Sequence, residues 1–419
     1  MPHTDHPSYC ILAYNSLSLD GPGRPRLCCN NHGHWKDFAN PFVTDVSQPL
    51  DVLNSPLHKA VRQSIALGQR HPSCSKCWQI EDTGGTSFRQ IWNGVYGDLG
   101  ETLAPRPTAA DGTLLQGSDI QYLDITFGNK CNLVCRMCNW ANSHLWTIDN
   151  IKLGRHDSHA DQRAVHQQWF EDPRAMEIIY STLHTVTHIN FLGGEPLIIK
   201  QHHDILEECV RHDLAQRMSI SYNTNLTHMN PRLLELWQQF GHVTVNVSLE
   251  AFGRANDYLR QNSSWADIMR NLRALLRLTK HQDSMTVDIH ATFGLYNCLS
   301  AAELITWCRQ RQGLGGLPFV NVVYHPSYQD VRLLPDSAKR SVRDQILAAL
   351  EGMEQHQYHA SWMAALNHMD QSSDLVVAQP RTGWPEDPWQ QFWHDAGEID
   401  QLKHRAMADY LPSLWELRP

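Results

Sequence analysis

Three cysteines within eight residues, Cys131-Asn-Leu-Val-Cys135-Arg-Met-Cys138, constrain this chain more than any other feature. They directly follow a run, Gln121–Thr126, that predicts a strand. Three thiolates on a loop leaving a strand can wrap one corner of a [4Fe–4S] cubane. Such a cluster usually takes four cysteine ligands, so three leave one iron open to another molecule. A zinc loop is the competing reading. Zinc normally wants a fourth ligand and two separate CxxC knuckles, and the uneven spacing here fits that poorly.

The wider cysteine usage agrees. The chain has 419 residues and 11 cysteines, an odd number, and eight of them precede residue 140. The N-terminal MPHTDHPSYC has neither the basic nor the apolar region of a secretory signal. Metal or redox chemistry in a reducing, cytoplasmic compartment is therefore expected rather than a disulfide framework. No run of about 18 uncharged apolar residues exists, which argues against a membrane span. A formal charge of −9 argues against nucleic-acid binding driven by bulk charge. With 42 % hydrophobic residues, disorder is excluded as the general state.

The chain reads as an N-terminal region (1–96) with five cysteines, a Gly/Pro/Thr/Ala-rich linker (97–118), a βα-alternating region (119–334) and a helical C-terminal extension (335–419). Cys10–Tyr14 and Ser16–Leu19 read as short strand-like runs, Gly21-Pro-Gly as a turn after them, and 49–68 as helical. Later strand candidates are Val186–Leu192, Met218–Asn223, Val243–Leu249, Met285–Thr292 and Phe319–Tyr324. Amphipathic stretches separate them, at Gln201–His212, Pro231–Phe240, Trp265–Leu278 and Ser300–Arg311. Residues 150–175 read as a polar, His-rich excursion. The alternation predicts an α/β fold with a parallel sheet, open or curled into a partial (β/α)6 TIM-like barrel.

The triplet has the CxxxCxxC spacing of the radical S-adenosylmethionine superfamily, and further segments resemble that family. Gly193-Gly194-Glu195-Pro196 ends the second strand. Two glycines allow close backbone approach, and in the family this segment meets the amino group of the cofactor's methionine moiety. Tyr222-Asn223-Thr224-Asn225 resembles the ribose-contacting segment, and Ser248-Leu249-Glu250 stands where the family commonly has Ser-x-Asp or Ser-x-Glu. Arg260 resembles a subgroup's arginine that pairs with the cofactor's carboxylate, as a guanidinium fork suits. Two positions depart from the pattern: Met137 replaces the usual aromatic, and Leu226 stands where Gly is frequent.

At the N-terminus, Cys10, Cys28 and the pair Cys74-Ser-Lys-Cys77 resemble a twitch domain, the short form of the SPASM auxiliary-cluster domain, placed before the barrel. The resemblance implies a second [4Fe–4S] cluster on Cys10, Cys28, Cys74 and Cys77, with Cys29 as rival to Cys28. Read from the residues alone, a Cys₄ zinc site competes on equal terms.

Strand parity adds a test independent of motif. The outer face of each strand should be apolar, so the polar set faces inward. That set is His188 and Asn190; Ser219, Ser221, Asn223 and Asn225; Thr244, Asn246, Ser248 and Glu250; and Thr286, Asp288, His290 and Thr292. Asp288 and His290 are candidates for substrate contact or proton transfer, against the plainer reading of a mutually satisfied buried pair. Cys209, Cys298 and Cys308 read as core residues.

The resemblance implies a 5′-deoxyadenosyl radical that abstracts hydrogen from an unactivated C–H bond. It also implies a flavodoxin- or ferredoxin-type electron donor. An auxiliary cluster favours net oxidation, dehydrogenation or cross-linking, of a peptide or peptide-like substrate. The alternatives are a dehydrogenase or epimerase acting on a sugar, aminocyclitol or amino acid, and a catalytically silent metal-binding protein.

Overall fold

The computed structural model describes residues 7–31, 38–82, 85–100, 106–115, 119–155, 168–280, 284–379 and 381–419. Gly84, residues 101–105 and 116–118 of the predicted linker, and residues 156–167 of the polar excursion lie outside them. The strands, in chain order, are β1 (Ser16–Leu19), β2 (Pro25–Arg26), β3 (Tyr122–Phe127), β4 (Val134–Cys135), β5 (His188–Gly193), β6 (Ser219–Thr224), β7 (His242–Ser248), β8 (Arg260–Gln261), β9 (Met285–Phe293) and β10 (Phe319–Val322). Two compact units divide the chain: Met1–Lys130, Ser158–Tyr222 and Arg232–His242 form one, and Cys131–Asp157, Asn223–Pro231 and Val243–Pro419 the other.

In the first unit β5 pairs in parallel with both β3 and β6, and β1 pairs in parallel with β3. The β1–β2 hairpin is antiparallel, turned at Gly23, whose φ of +83° favours a residue without a Cβ. N-terminal strand β1 thus joins the same sheet as β3. Alternation decides which faces are covered: Ile189 and Phe191 on β5, and Ile220 and Tyr222 on β6, are buried between polar neighbours. Helix Lys200–Arg211 buries His202, Ile205, Leu206 and Cys209, a stripe at helical spacing.

Cys10–Tyr14, expected as a strand, is instead largely a helical turn at Leu12–Asn15. Every residue from Ile11 to Leu19 is buried. A run that is apolar and buried all round carries no periodicity by which helix and strand could be told apart.

In the second unit β9 pairs in parallel with β7 and β10, and β4 with β8 antiparallel. Helix Trp265–Thr279 starts at Ser264, whose side chain accepts from the Asp267 amide, and buries Ile268, Met269, Leu272 and Leu275. The C-terminal extension is helical as expected, with helices at Asp336–Leu350, His359–Met369 and Pro388–Lys403. Trp362 and Trp393 are buried in its core, Trp384 and Trp389 pack against that core, and Trp415 is 38 % exposed. The protein is therefore a mostly parallel α/β protein with a helical C-terminal region. Among the described residues no helix is long and apolar enough to cross a membrane.

Candidate metal centres and cofactor site

The cysteine triplet is shaped by its own short-range bonds. The Cys138 amide donates to the Cys135 carbonyl (2.9 Å), the Arg136 amide to the Leu259 carbonyl (2.8 Å) and the Ser143 hydroxyl to the Leu133 carbonyl (2.7 Å). The indole of Trp146 donates to the Cys135 carbonyl at 3.1 Å. With its backbone held this way, the loop gathers Cys131, Cys135 and Cys138 with Leu133 and Met137 into one apolar nest. Burial pushes the Cys135 thiol up against the opposing pull of Arg260, and pushes Cys138 to about 12. The Leu133 amide points at the Cys131 sulfur, 3.4 Å away.

Register places Arg260 directly opposite Cys135 across the β4–β8 pair. Its guanidinium donates to Glu250 at 2.8 Å, and the second Glu250 oxygen accepts from the Thr292 amide at 2.7 Å. Burial works against the charged form of both partners. The pair, with the thiols of Cys135 and Cys131 nearby, keeps Arg260 above its ordinary value, while Glu250 is left raised. The Arg260 Nε is buried without a hydrogen-bond partner. Asn225 is buried and donates to Asn132 inside the cysteine loop at 2.9 Å, whereas Asn223 is exposed. Between them and the next helix, Leu226 adopts φ +54°, the left-handed conformation for which glycine is commonly used. Ser248 is half-buried, facing the same way as Thr244 and Asn246.

In the first unit Gly193 and Gly194 lie against backbone. A Cβ on Gly193 (φ +137°) would meet the Phe127 carbonyl at 2.9 Å, and one on Gly194 the Lys130 carbonyl at 2.3 Å. Only glycine allows the Glu195 amide to donate to the Lys130 carbonyl (2.9 Å) as it does. The Glu195 side chain is buried and accepts from the Leu197 amide at 3.1 Å.

The N-terminal cysteines also converge: Cys10, Cys28, Cys74 and Cys77 line one cavity with Trp78 and Arg89. Burial raises Cys28 well above its ordinary value, and Cys29, Cys10, Cys74 and Cys77 add to the effect. Burial raises Cys29 to about 12, with Asp124 adding to the rise and Arg26 and Lys76 opposing it; Cys29 does not line the cavity that the other four share. Arg89 donates to the Tyr9 carbonyl at 2.6 Å, one residue before Cys10, and is held by Glu81. Among the described residues no three His, Cys, Asp or Glu side chains converge as on a single ion.

Asp288 and His290 lie on the polar face of β9, in register with Asn246 and Ser248. They are not a mutually satisfied pair. Asp288 accepts from the Tyr358 hydroxyl (3.1 Å), while its Oδ1 and the His290 Nε2 are buried without partners. Burial raises Asp288 and lowers His290 to about 4, so the imidazole is neutral at pH 7.

Strand parity placed Asn190 and Ser221 inward but missed Ser18, Arg26 and Asp124, which complete a polar rung in the first unit. Ser18 donates to Asp124 (2.7 Å), Asn190 to Asp124 (3.0 Å) and Ser221 to Asn190 (2.8 Å), with Arg26 bonded to Ser18 and Asp124. The parity rule applied to β1 and β3 would have found it. Arg89, Arg26 and Tyr358 carry no motif and could not have been found that way.

Residues 125–293 match the model of the Radical SAM superfamily. Among curated proteins none matches the chain. Similar solved structures include Streptococcus suis SuiB bound to precursor peptide SuiA, at 14 % identity and TM-score 0.37, covering 71 % of this chain and 64 % of that one. Another is native anSMEcpe with bound AdoMet, at 13 % identity and TM-score 0.38, covering 60 % and 63 %. The chain thus spans less than two thirds of the length of either structure. The match joins the end of the strand before the cysteine triplet, the glycine pair and the polar strands through β9 in one stretch similar to the Radical SAM superfamily.

Proposed function

We propose that this protein is a radical S-adenosylmethionine enzyme that oxidises a peptide or peptide-like substrate. The observation that carries the reading is the gathering of Cys131, Cys135 and Cys138 in one nest with Arg260 in register against the middle thiol. In this reading Cys131, Cys135 and Cys138 would hold a [4Fe–4S] cluster. Bound there, cluster and S-adenosylmethionine supply a 5′-deoxyadenosyl radical for hydrogen abstraction.

The chain's own residues do the rest. Arg260 offers a buried cation, with an unused Nε, to the cofactor's carboxylate, and Glu250 holds its guanidinium in place. Glu195, fixed by its own strand end, receives the cofactor's ammonium; Asn223, Asn225 and Ser248 serve the ribose side. Asp288 and neutral His290 present unused polar atoms to the substrate, and His290 can take a proton at Nε2. Cys10, Cys28, Cys74 and Cys77 would hold a second cluster, which would supply an electron acceptor, and the cavity they share, lined by Cys28 and not Cys29, supports Cys28 as the ligand. Residues 1–96 are then the twitch domain, 97–118 the linker, 119–334 the catalytic region and 335–419 its helical extension. All eleven cysteines are free, which suits a reducing cytoplasm. A flavodoxin- or ferredoxin-type protein would deliver the first electron.

Anaerobic reconstitution tests this. Wild type should hold about eight irons and Cys135→Ala about four. Only wild type should release 5′-deoxyadenosine with dithionite. Zinc in place of iron would overturn the reading. A small-molecule substrate is separated from a peptide by deuterium transfer from labelled candidates into 5′-deoxyadenosine.

A further inference from the structure

We propose that Asp400, on the C-terminal helix Pro388–Lys403, is a positioning residue for the cysteine loop, acting through Arg136. The proposal rests on the reading of that loop as a cluster site. Arg136 lies in sequence between Cys135 and Cys138, and its side chain is fully buried. Its guanidinium pairs with Asp400, lies 3.8 Å from the centre of the Tyr258 ring and donates through Nε to the Tyr258 carbonyl at 3.3 Å. Asp400 is itself fixed: Oδ1 accepts from the Tyr258 hydroxyl (2.9 Å) and Oδ2 from the Met407 amide (2.8 Å). One helix position earlier, Ile399 packs with Val134 and Trp146, and that indole bonds the Cys135 carbonyl. The same helix holds the segment after the loop, through Asp395 to Arg155 (2.8 Å) and Lys403 to Asp149.

The C-terminal extension therefore supplies the counter-charge for a cation whose backbone lies between two of the three cysteines in sequence. A buried guanidinium without its carboxylate would have to seek solvent, and Cys135 and Cys138 flank it on the chain. Loop shape, and with it the open corner for the cofactor, depends on a residue some 260 positions away in sequence, Arg136 and Asp400 being 264 apart.

The test uses the full chain. In Asp400→Asn, amides of residues 131–140 in the metal-free protein should exchange hydrogen about ten-fold faster. In the reconstituted protein, the S-adenosylmethionine-induced change in the cluster's electron paramagnetic resonance spectrum should need about ten-fold more cofactor. Asp400→Glu should restore part of both. Asp370→Asn, which breaks the exposed Arg343 pair elsewhere in the extension, should change neither. Should Asp400→Asn not fold, Tyr258→Phe removes only one hydrogen bond to Asp400 and should move both readouts about two- to three-fold in the same direction. Wild-type exchange and titration in Asp400→Asn or Tyr258→Phe, or equal effects of Asp370→Asn, would overturn the proposal. If Cys135→Ala leaves the wild-type spectrum unchanged, it is the cluster assignment that fails instead.

Discussion

Arg260 and Glu250 form a buried ion pair at the proposed cofactor site. Each partner is buried, so removing one leaves the other as an uncompensated charge. Arg260→Met should destabilise the protein by about 3–5 kcal/mol, measured by chemical denaturation of the metal-free chain. Arg260→Lys keeps the charge but loses the fork; it should fold nearly as well and bind S-adenosylmethionine more weakly by isothermal titration. Leu226 poses the opposite question, because its left-handed backbone is strained while its side chain is fully buried. Relief of that strain is worth about 1–2 kcal/mol, whereas losing a buried leucine costs about 2–5 kcal/mol. Packing wins, and Leu226→Gly should lower the unfolding free energy despite glycine's preference for this conformation.

Elements bring such residues to bear by register and close approach. β9 aligns Asp288 and His290 with the polar set of β7, and the end of β5 brings Gly193 and Gly194 against the backbone after β3. A methyl on Gly194 would stand 2.3 Å from the Lys130 carbonyl oxygen, a backbone atom that cannot rotate away. Gly194→Ala should therefore displace the Glu195 turn, lower the thermal midpoint by several degrees for a loss of about 1–3 kcal/mol, and weaken cofactor binding. A wild-type melting curve for this variant would contradict the close approach. β1 makes the same point from the N-terminus: pairing with β3 puts Ser18 beside Asp124 and ties Arg26 to both.

Across the whole molecule, burial fixes the protonation of several histidines. His58 is wholly buried, bonded to the Ser55 hydroxyl at 2.8 Å, and burial together with nearby Arg62 holds it at about 3. Unfolding returns it to about 6.5, so below that pH the unfolded chain binds the extra proton. The stability that neutral His58 contributes is present above pH 6.5 and declines as pH falls toward 3. His58→Gln should remove this dependence: between pH 6.5 and 4.5 wild type should lose on the order of 2 kcal/mol more than the variant. Equal losses in urea titrations at the two pH values would show that His58 is already charged in the folded protein.

Much of this was legible in the linear chain, because it depends on neighbours. The strand periodicities of β7 and β9, the cysteine spacing and the glycine pair are local patterns with local physical causes, and their elements begin and end within one or two residues of expectation. The helical turn at Leu12–Asn15 was not legible, since a segment buried on every side loses the alternation that distinguishes a strand. Distance in sequence hid the remainder. Arg136 meets Asp400, Arg89 reaches the N-terminal thiols and Tyr358 caps Asp288 because folding brings remote segments together, and a buried charge must find a partner wherever the fold supplies one. Chemistry was thus written locally, in cysteines and glycines; the charges and hydroxyls that hold it in shape were chosen by packing.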